Sequence, residues 1–417
     1  MKILHTADWH LGNNFHRHER NLEHQHFLNW LLNTLRAEQP DALIVSGDIF
    51  DSANPSVAAE GLFYDFLLQA TEAVKGLQIV AIAGNHDSAG RLDAPARLLK
   101  RHNIYVRGNI RRNEETGTPD FDHLILPLGE RLKEEAGVVC LALPYLRPYD
   151  YPAGMSPAEG LHYYFEEMMK RLARSDFRNL PVIAAAHFYA AGAEICADEH
   201  SERLVVGGQD CVPADVVGKG ICYTALGHIH RCQPIQGSNS VMHYAGSALP
   251  MSFSERGYRH GVLRVEIDAD GAVSVTQLPY SPLRQLLSIP AQGAASKEEV
   301  FAAIGQLPQR KAGDTGDNWP YLEIRLLETM PEPEMLYQVT QALADRAVHF
   351  CRMLRVRPEI ATAEQSASAE GEQLQSLAPI DMARRVFSAH YGQEMPEALT
   401  RRFETAEQIC LQPSSHP

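Results

Sequence analysis

"LHTADWH", residues 4–10, sets an aspartate and a histidine two apart directly after a short apolar run. Met1 to Thr6 reads as a buried strand, with Ile3 and Leu4 apolar and Thr6 suited to a pleated surface. Side chains alternate faces along a strand. If the extended geometry continues past Thr6, Asp8 and His10 project together from the strand's C-terminal end. Open α/β sheets hold their ligands at that end. On this stretch alone the plainer reading, a capping aspartate beside a surface histidine, carries more weight.

The design recurs down the chain. "DALIVSGD" (41–48), "LQIVAIAGNHD" (77–87), "LPVIAAAHF" (180–188) and "ICYTALGHIH" (221–230) are apolar runs that each break off at a polar cluster. Helical patterns separate the earlier ones. Glu19 to Glu38 carries Phe27, Trp30, Leu31, Thr34 and Leu35 on one side, and Pro40 stops it. Ser56 to Val74 carries a stripe of Val57, Phe63, Phe66, Leu67 and Ala70. Five strand ends thus hold Asp8-x-His10, Gly47-Asp48, Gly84-Asn85-His86-Asp87, His187 and Gly227-His228-x-His230. In a parallel-type sheet such ends converge on one edge. Carboxylate, imidazole and amide oxygen without thiolate suit Mn²⁺, Fe²⁺ or Zn²⁺.

Bulk properties set limits. The 417 residues suit two or three domains. No apolar run reaches the roughly 18 residues of a membrane span, and the start of the chain predicts no export signal. The seven cysteines are scattered without a CxxC pair, as expected of reduced thiols in a cytoplasm. They read as small buried hydrophobes. A net charge of −14 argues weakly against a nucleic-acid partner, because local patches outweigh the total. Of the nineteen histidines, His5, His243 and His260 read as core or surface residues. His16, His18, His24 and His26 read as solvated.

Beyond residue 230, "HGVLRVEID" (260–268) and "AVSVTQL" (272–278) predict antiparallel strands around a turn at Asp270-Gly271. The texture changes near 280. A helix over 296–306, a Gly/Asp-rich loop (312–318), a strand at "YLEIRLL" (321–327) and a helix over 334–347 predict a small α/β domain. Residues 362–376 read as a linker, and 378–409 as helical.

In order, DxH, GD, GNHD, a lone H and GHxH resemble the calcineurin-type metallophosphoesterase superfamily over residues 1–280. "ILHTADWHLG", "GDIFDSANPS", "GNHDS", "ALPYLRP", "ALGHIHR" and "YAGSALPMSF" narrow the resemblance to the SbcD family, the nuclease subunits of bacterial SbcCD complexes. The remainder of the chain matches that family only in layout. The resemblance implies an α/β metallophosphoesterase sandwich: two central mixed sheets flanked by helices, a small capping domain (281–360), then a linker and C-terminal helices (361–417). Serine/threonine phosphatases of the superfamily read GDxxDRG and GNHE. This chain reads "GDIFDSA" and "GNHD", which favours the nuclease branch.

The resemblance also implies roles. Asp48 would bridge two divalent ions, expected as Mn²⁺, about 3.5–4 Å apart. Asp8, His10 and His230 would complete one ion, and Asn85, His187 and His228 the other. A water activated between them would attack phosphorus. His86 would stand near the leaving oxygen as general acid or transition-state stabiliser. Asp51 is expected to accept a hydrogen bond from His86, so that Asp51→Asn slows turnover without emptying the metal site. The implied partners are DNA ends and hairpins and an SbcC-like coiled-coil ATPase, with a homodimer of the chain inside a heterotetramer. Arg17, Arg20, Arg91, Arg231 and "RHNIYVRGNIRR" (101–112) are candidate phosphate contacts. The helix at 56–74 is expected to lean toward a dimer interface over core, and 378–417 to dock on the ATPase. Two alternatives stay open: a stand-alone small-nucleotide phosphodiesterase, which the C-terminal third disfavours, and a non-catalytic DNA-end scaffold, which the full ligand set disfavours.

Overall fold

A computed structural model describes residues 1–129, 136–194, 211–357 and 379–411. The chain divides into two units: Met1–Leu286 with Asp317–Trp319, and Leu287–Gly316 with Pro320–Pro417.

The first unit is built on two six-stranded sheets. In one, the parallel strands Lys2–Thr6, Ala42–Ser46, Gln78–Ile82 and Ile104–Arg107 lie side by side. The antiparallel pair Gly261–Ile267 and Val273–Pro279 extends the Lys2–Thr6 edge. In the other, Ala136–Ala142, Val182–His187, Tyr223–Gly227 and Val241–Tyr244 run parallel. Ile125–Gly129 and Gln233–Ile235 form antiparallel edges.

Alternation explains why the central strands read as unbroken apolar runs. Ile3, Ile44, Val80 and Ile82 point inward against Cys140, Ile183, Tyr223 and Ala225 of the facing sheet. Their neighbours Leu4, Leu43, Val45 and Ile79 point outward under helices. Both faces are buried, so the runs are almost wholly apolar, with buried His5 and Thr224 as internal exceptions.

The outer layer of the first sheet is the helix pair Asn21–Glu38 and Val57–Ala73. Ser56 caps the second helix by accepting the Ala59 N–H. Its stripe of Phe63, Phe66, Leu67 and Ala70 is core, and Trp9 lies edge-on to Phe66 at 5.3 Å. Val57, at 85% exposed, stands outside that core, and Leu68 is the helix's other exposed large apolar residue. The second sheet is covered by Pro157–Leu172, a helix opened by a Ser156/Glu159 capping box.

The second unit has a sheet of Leu286–Ile289, Tyr321–Leu327 and His349–Val356, with helices Lys297–Gln306 and Met335–Ala342. The helix predicted over 334–347 is shorter, and the chain returns as a strand that the sequence did not reveal. Two helices follow, Pro379–Tyr391 and Glu397–Leu411. The predicted linker at 362–376 lies outside the described residues. Among the described residues, no helix is long and apolar enough to cross a membrane.

Candidate metal centre

The C-terminal ends of both sheets meet at one place. Asp8 and His10, Asp48, and Asn85 with His86 follow three strands of the first sheet. His187 closes a strand of the second sheet, and His228 and His230 follow its neighbour. The extended geometry does not continue past Thr6, as the alternation argument required. Asp8 (φ 51°), His10 (φ 46°), Asp48 (φ 47°) and His228 (φ 99°) all take left-handed backbone conformations. Such conformations cost non-glycine residues free energy and collect at functional sites. Here they fold short turns that aim each side chain inward. Gly84 lets this happen: a Cβ there would lie 2.1 Å from Asp48 Oδ1.

Asp8, His10 and His230 form one group whose ligand atoms lie within 4.8 Å of one another; Asp48, His187 and His228 form a second. His10, Asp48 and His86 form a third that links them. Asp48 Oδ2 stands 3.9 Å from His10 Nε2 and 3.4 Å from His187 Nε2. Asn85 Oδ1 lies 3.0 Å from His187 Nε2 and 3.1 Å from His228 Nδ1. Asp8 accepts the His228 N–H at 3.0 Å. Asp48 Oδ1 accepts the His86 N–H at 2.9 Å. The proposed ligands are buried except Asn85, which with His86 is half-buried.

The donor set fits divalent cations. His187 Nδ1 donates to Ser46 O at 2.8 Å, which turns Nε2 toward two acceptors, Asn85 Oδ1 and Asp48 Oδ2. A positive charge at Nε2, carried by a metal ion or by a proton, reconciles them. Burial would lower the basicity of His187, but Asp48 outweighs it and pulls the imidazole up to about 9, so a proton serves when no ion does. Burial raises Asp8, whereas the surrounding imidazoles hold Asp48 well below the usual carboxylate range against the same penalty. Neither ring nitrogen of buried His10 has a hydrogen-bond partner. Buried polar atoms without partners are costly, and a ligated ion would satisfy them.

The side-chain contacts correct several expectations. The Asp51 carboxylate does not hold His86. His86 Nδ1 donates to the Asp51 main-chain carbonyl at 2.8 Å, while the carboxylate accepts from Asn13 at 2.9 Å and lies 3.6 Å from His10 Nδ1. Asp51→Asn would therefore alter the side chain beside His10 rather than the group that holds His86. Arg20 cannot reach DNA, being 1% exposed and paired with Glu23 at 2.9 Å. Arg107 is buried too, on His123 O. His24, read as solvated, is fully buried beside the site.

Asp87 was missed as an organiser. Its buried carboxylate accepts the N–H groups of Ile49, Phe50 and Gly84, tying the Asp48 turn to the Asn85 turn. The fourth letter of GNHD was its signal. Cys140 is buried as expected, but Cys211 is exposed.

Buried neutral histidines set an acid limit. Desolvation holds His5 and His24 down at about 3. Their contribution to stability is complete above the ordinary value near 6.5 and is lost as pH falls toward 3. Each costs roughly 1.4 kcal/mol per pH unit over that window. The urea midpoint in chelator is expected to fall steadily from pH 6.5 downward. A midpoint flat to pH 4.5 would contradict this.

Known proteins agree with the geometry. Residues 1–232 match the calcineurin-like phosphoesterase family, and 282–391 match the type 5 capsule protein repressor C-terminal domain. The SbcD subunit of the SbcCD nuclease from Rhodobacter capsulatus is 36% identical over 372 residues, covering 87% of this chain and 89% of that protein. This chain belongs to the SbcD family. The SbcD subunit from Escherichia coli K12 is 34% identical over 378 residues, 88% of each chain. The one from Bacillus subtilis is 33% identical over 346 residues, covering 80% of this chain and 82% of the relative. SbcD membership brings the phosphoesterase fold over residues 1–232, and with the buried Asp/His cluster it points to divalent metals.

Proposed function

We propose that this SbcD-family chain is the nuclease subunit of a DNA repair and recombination complex, cutting phosphodiesters with two divalent ions, Mn²⁺ by preference. One observation carries the reading: the buried Asp8–His10–His230 and Asp48–His187–His228 groups are joined through His10 and Asp48, which share a third group with half-buried His86. Asp8, His10 and His230 would hold one ion; Asn85, His187 and His228 the other; Asp48 both. When bound, the ions polarise phosphate oxygens and offset the charge that develops in the transition state.

The chain's own residues do the rest. The turns after the five strands fix the ligands before substrate arrives, so little reorganisation is needed. His86, held through Nδ1 by the Asp51 carbonyl, keeps Nε2 for proton transfer to the leaving oxygen. Exposed Arg17, Arg91 and Arg231 are the remaining phosphate contacts of the motif set.

The family supports 3′→5′ exonuclease action on duplex ends and endonuclease cleavage of hairpins and single strands, in the cytoplasm. It equally supports an SbcC-like ATPase partner and a homodimer within a heterotetramer. In that assembly residues 281–360 cap the site and the helices after 361 dock on the ATPase. The test is hairpin-ended DNA incubated with the purified chain, Mn²⁺ and the ATPase subunit. Cleavage that chelator abolishes is expected; intact DNA would overturn the nuclease reading.

A further inference from the structure

Glu255 lies in the short turn Phe253–Gly257, far in sequence from every motif of the site, and is 1% exposed. A buried carboxylate needs partners for both oxygens. Oε1 lies 3.0 Å from His230 Nδ1, and Oε2 accepts the Met251 N–H at 2.8 Å. A carboxylate only accepts, so His230 carries its proton on Nδ1 and presents the Nε2 lone pair to Asp8 and His10.

The turn that carries Glu255 is itself braced. Arg20 donates to Pro250 O at 2.7 Å, holds Glu23 through two nitrogens, and stacks over Phe15 at 5.2 Å. Phe15 packs on Phe253 at 5.3 Å. Burying a full ion pair is expensive, and this one fixes the approach of a single loop. The other half of the centre is supported differently: His187 Nδ1 meets a neutral carbonyl, Ser46 O.

We infer that Glu255 is a positioning residue for the Asp8–His10–His230 half of the centre, setting the tautomer and basicity of His230 and thereby the affinity of that ion alone. Carboxylates behind metal-bound imidazoles act in this way, and their loss lowers affinity about 10–100-fold. The inference rests on the ligand assignment proposed above.

The test uses the full chain, stripped with chelator, and Glu255→Gln. In a glutamine one of the two oxygen positions becomes an NH₂ donor, which would face either the His230 Nδ1–H or the Met251 N–H. Calorimetric titration with Mn²⁺ is expected to show two ions bound by the wild type. In the variant, one should weaken about 10–100-fold and the other stay unchanged. Imidazole ¹⁵N spectra of the metal-free wild type should place the His230 proton on Nδ1, a readout that stands even if the variant fails to fold. Unchanged affinities, equal weakening of both ions, or a proton on Nε2 would overturn the inference. A wild type that binds no ion would instead defeat the ligand assignment itself.

Discussion

Asp48→Ala is expected to lose both ions and to cut DNA at least about 10³-fold more slowly, since several kcal/mol of charge stabilisation vanish and each 1.36 is tenfold. The size follows from position. Among the described residues, Asp48 Oδ2 is the carboxylate oxygen that lies within 4.0 Å of both a His10 and a His187 ring nitrogen. Removing it unmakes both halves, whereas removing Asp8 strips one. A second readout needs no substrate. In metal-free protein Asp48 is what lifts His187 to about 9, so in the variant burial should prevail and the imidazole should titrate well below that value. Ion counting by calorimetry and an NMR titration of His187 check the two parts. A variant that keeps two ions, or a His187 that still titrates near 9, would contradict the assignment.

His86→Ala is expected to keep both ions and lose roughly 10²–10⁴-fold in turnover, the usual contribution of a positioned acid. The separation is structural. His86 touches Asp48 through its main-chain N–H, which alanine retains. Its imidazole donates to the Asp51 carbonyl and stands edge-on to His10, with 4.9 Å between ring centres. Single-turnover cleavage and calorimetry on the same sample check this. Full activity would remove His86 from the mechanism, and loss of an ion would make it a ligand.

Much of this is legible in the sequence alone. Strands buried on both faces must be apolar throughout, so "ALIVS" and "VIAAAH" announce themselves and their polar ends stand out. Edge strands do not. "ILPLG" alternates buried and half-buried positions and contains a proline, and "HFCRMLRV" is half-buried with two arginines. Neither carries a pattern that propensity can separate from loop.

The site divides in the same way. Residue types and order mark the strand-end clusters, because cation chemistry restricts side chains, and the family resemblance assigns the proposed ligands within them. Backbone conformation does not follow from them: Asp8 and His10 share a site through left-handed turns, not through strand alternation. Long-range pairing is hidden as well. Arg20 looks like a surface cation until Glu23 and Pro250 O enclose it. Asp51 is legible as a neighbour of His86, but not the atom that makes the contact, since side chains are visible in a sequence and carbonyl directions are not.

The most direct measurement is anomalous diffraction at the manganese edge from crystals of the chain grown with Mn²⁺. The account predicts two peaks about 3.5–4 Å apart. One should lie among Asp8, His10 and His230, the other among Asn85, His187 and His228, with Asp48 between. A single peak, or peaks away from Asp48, would contradict it.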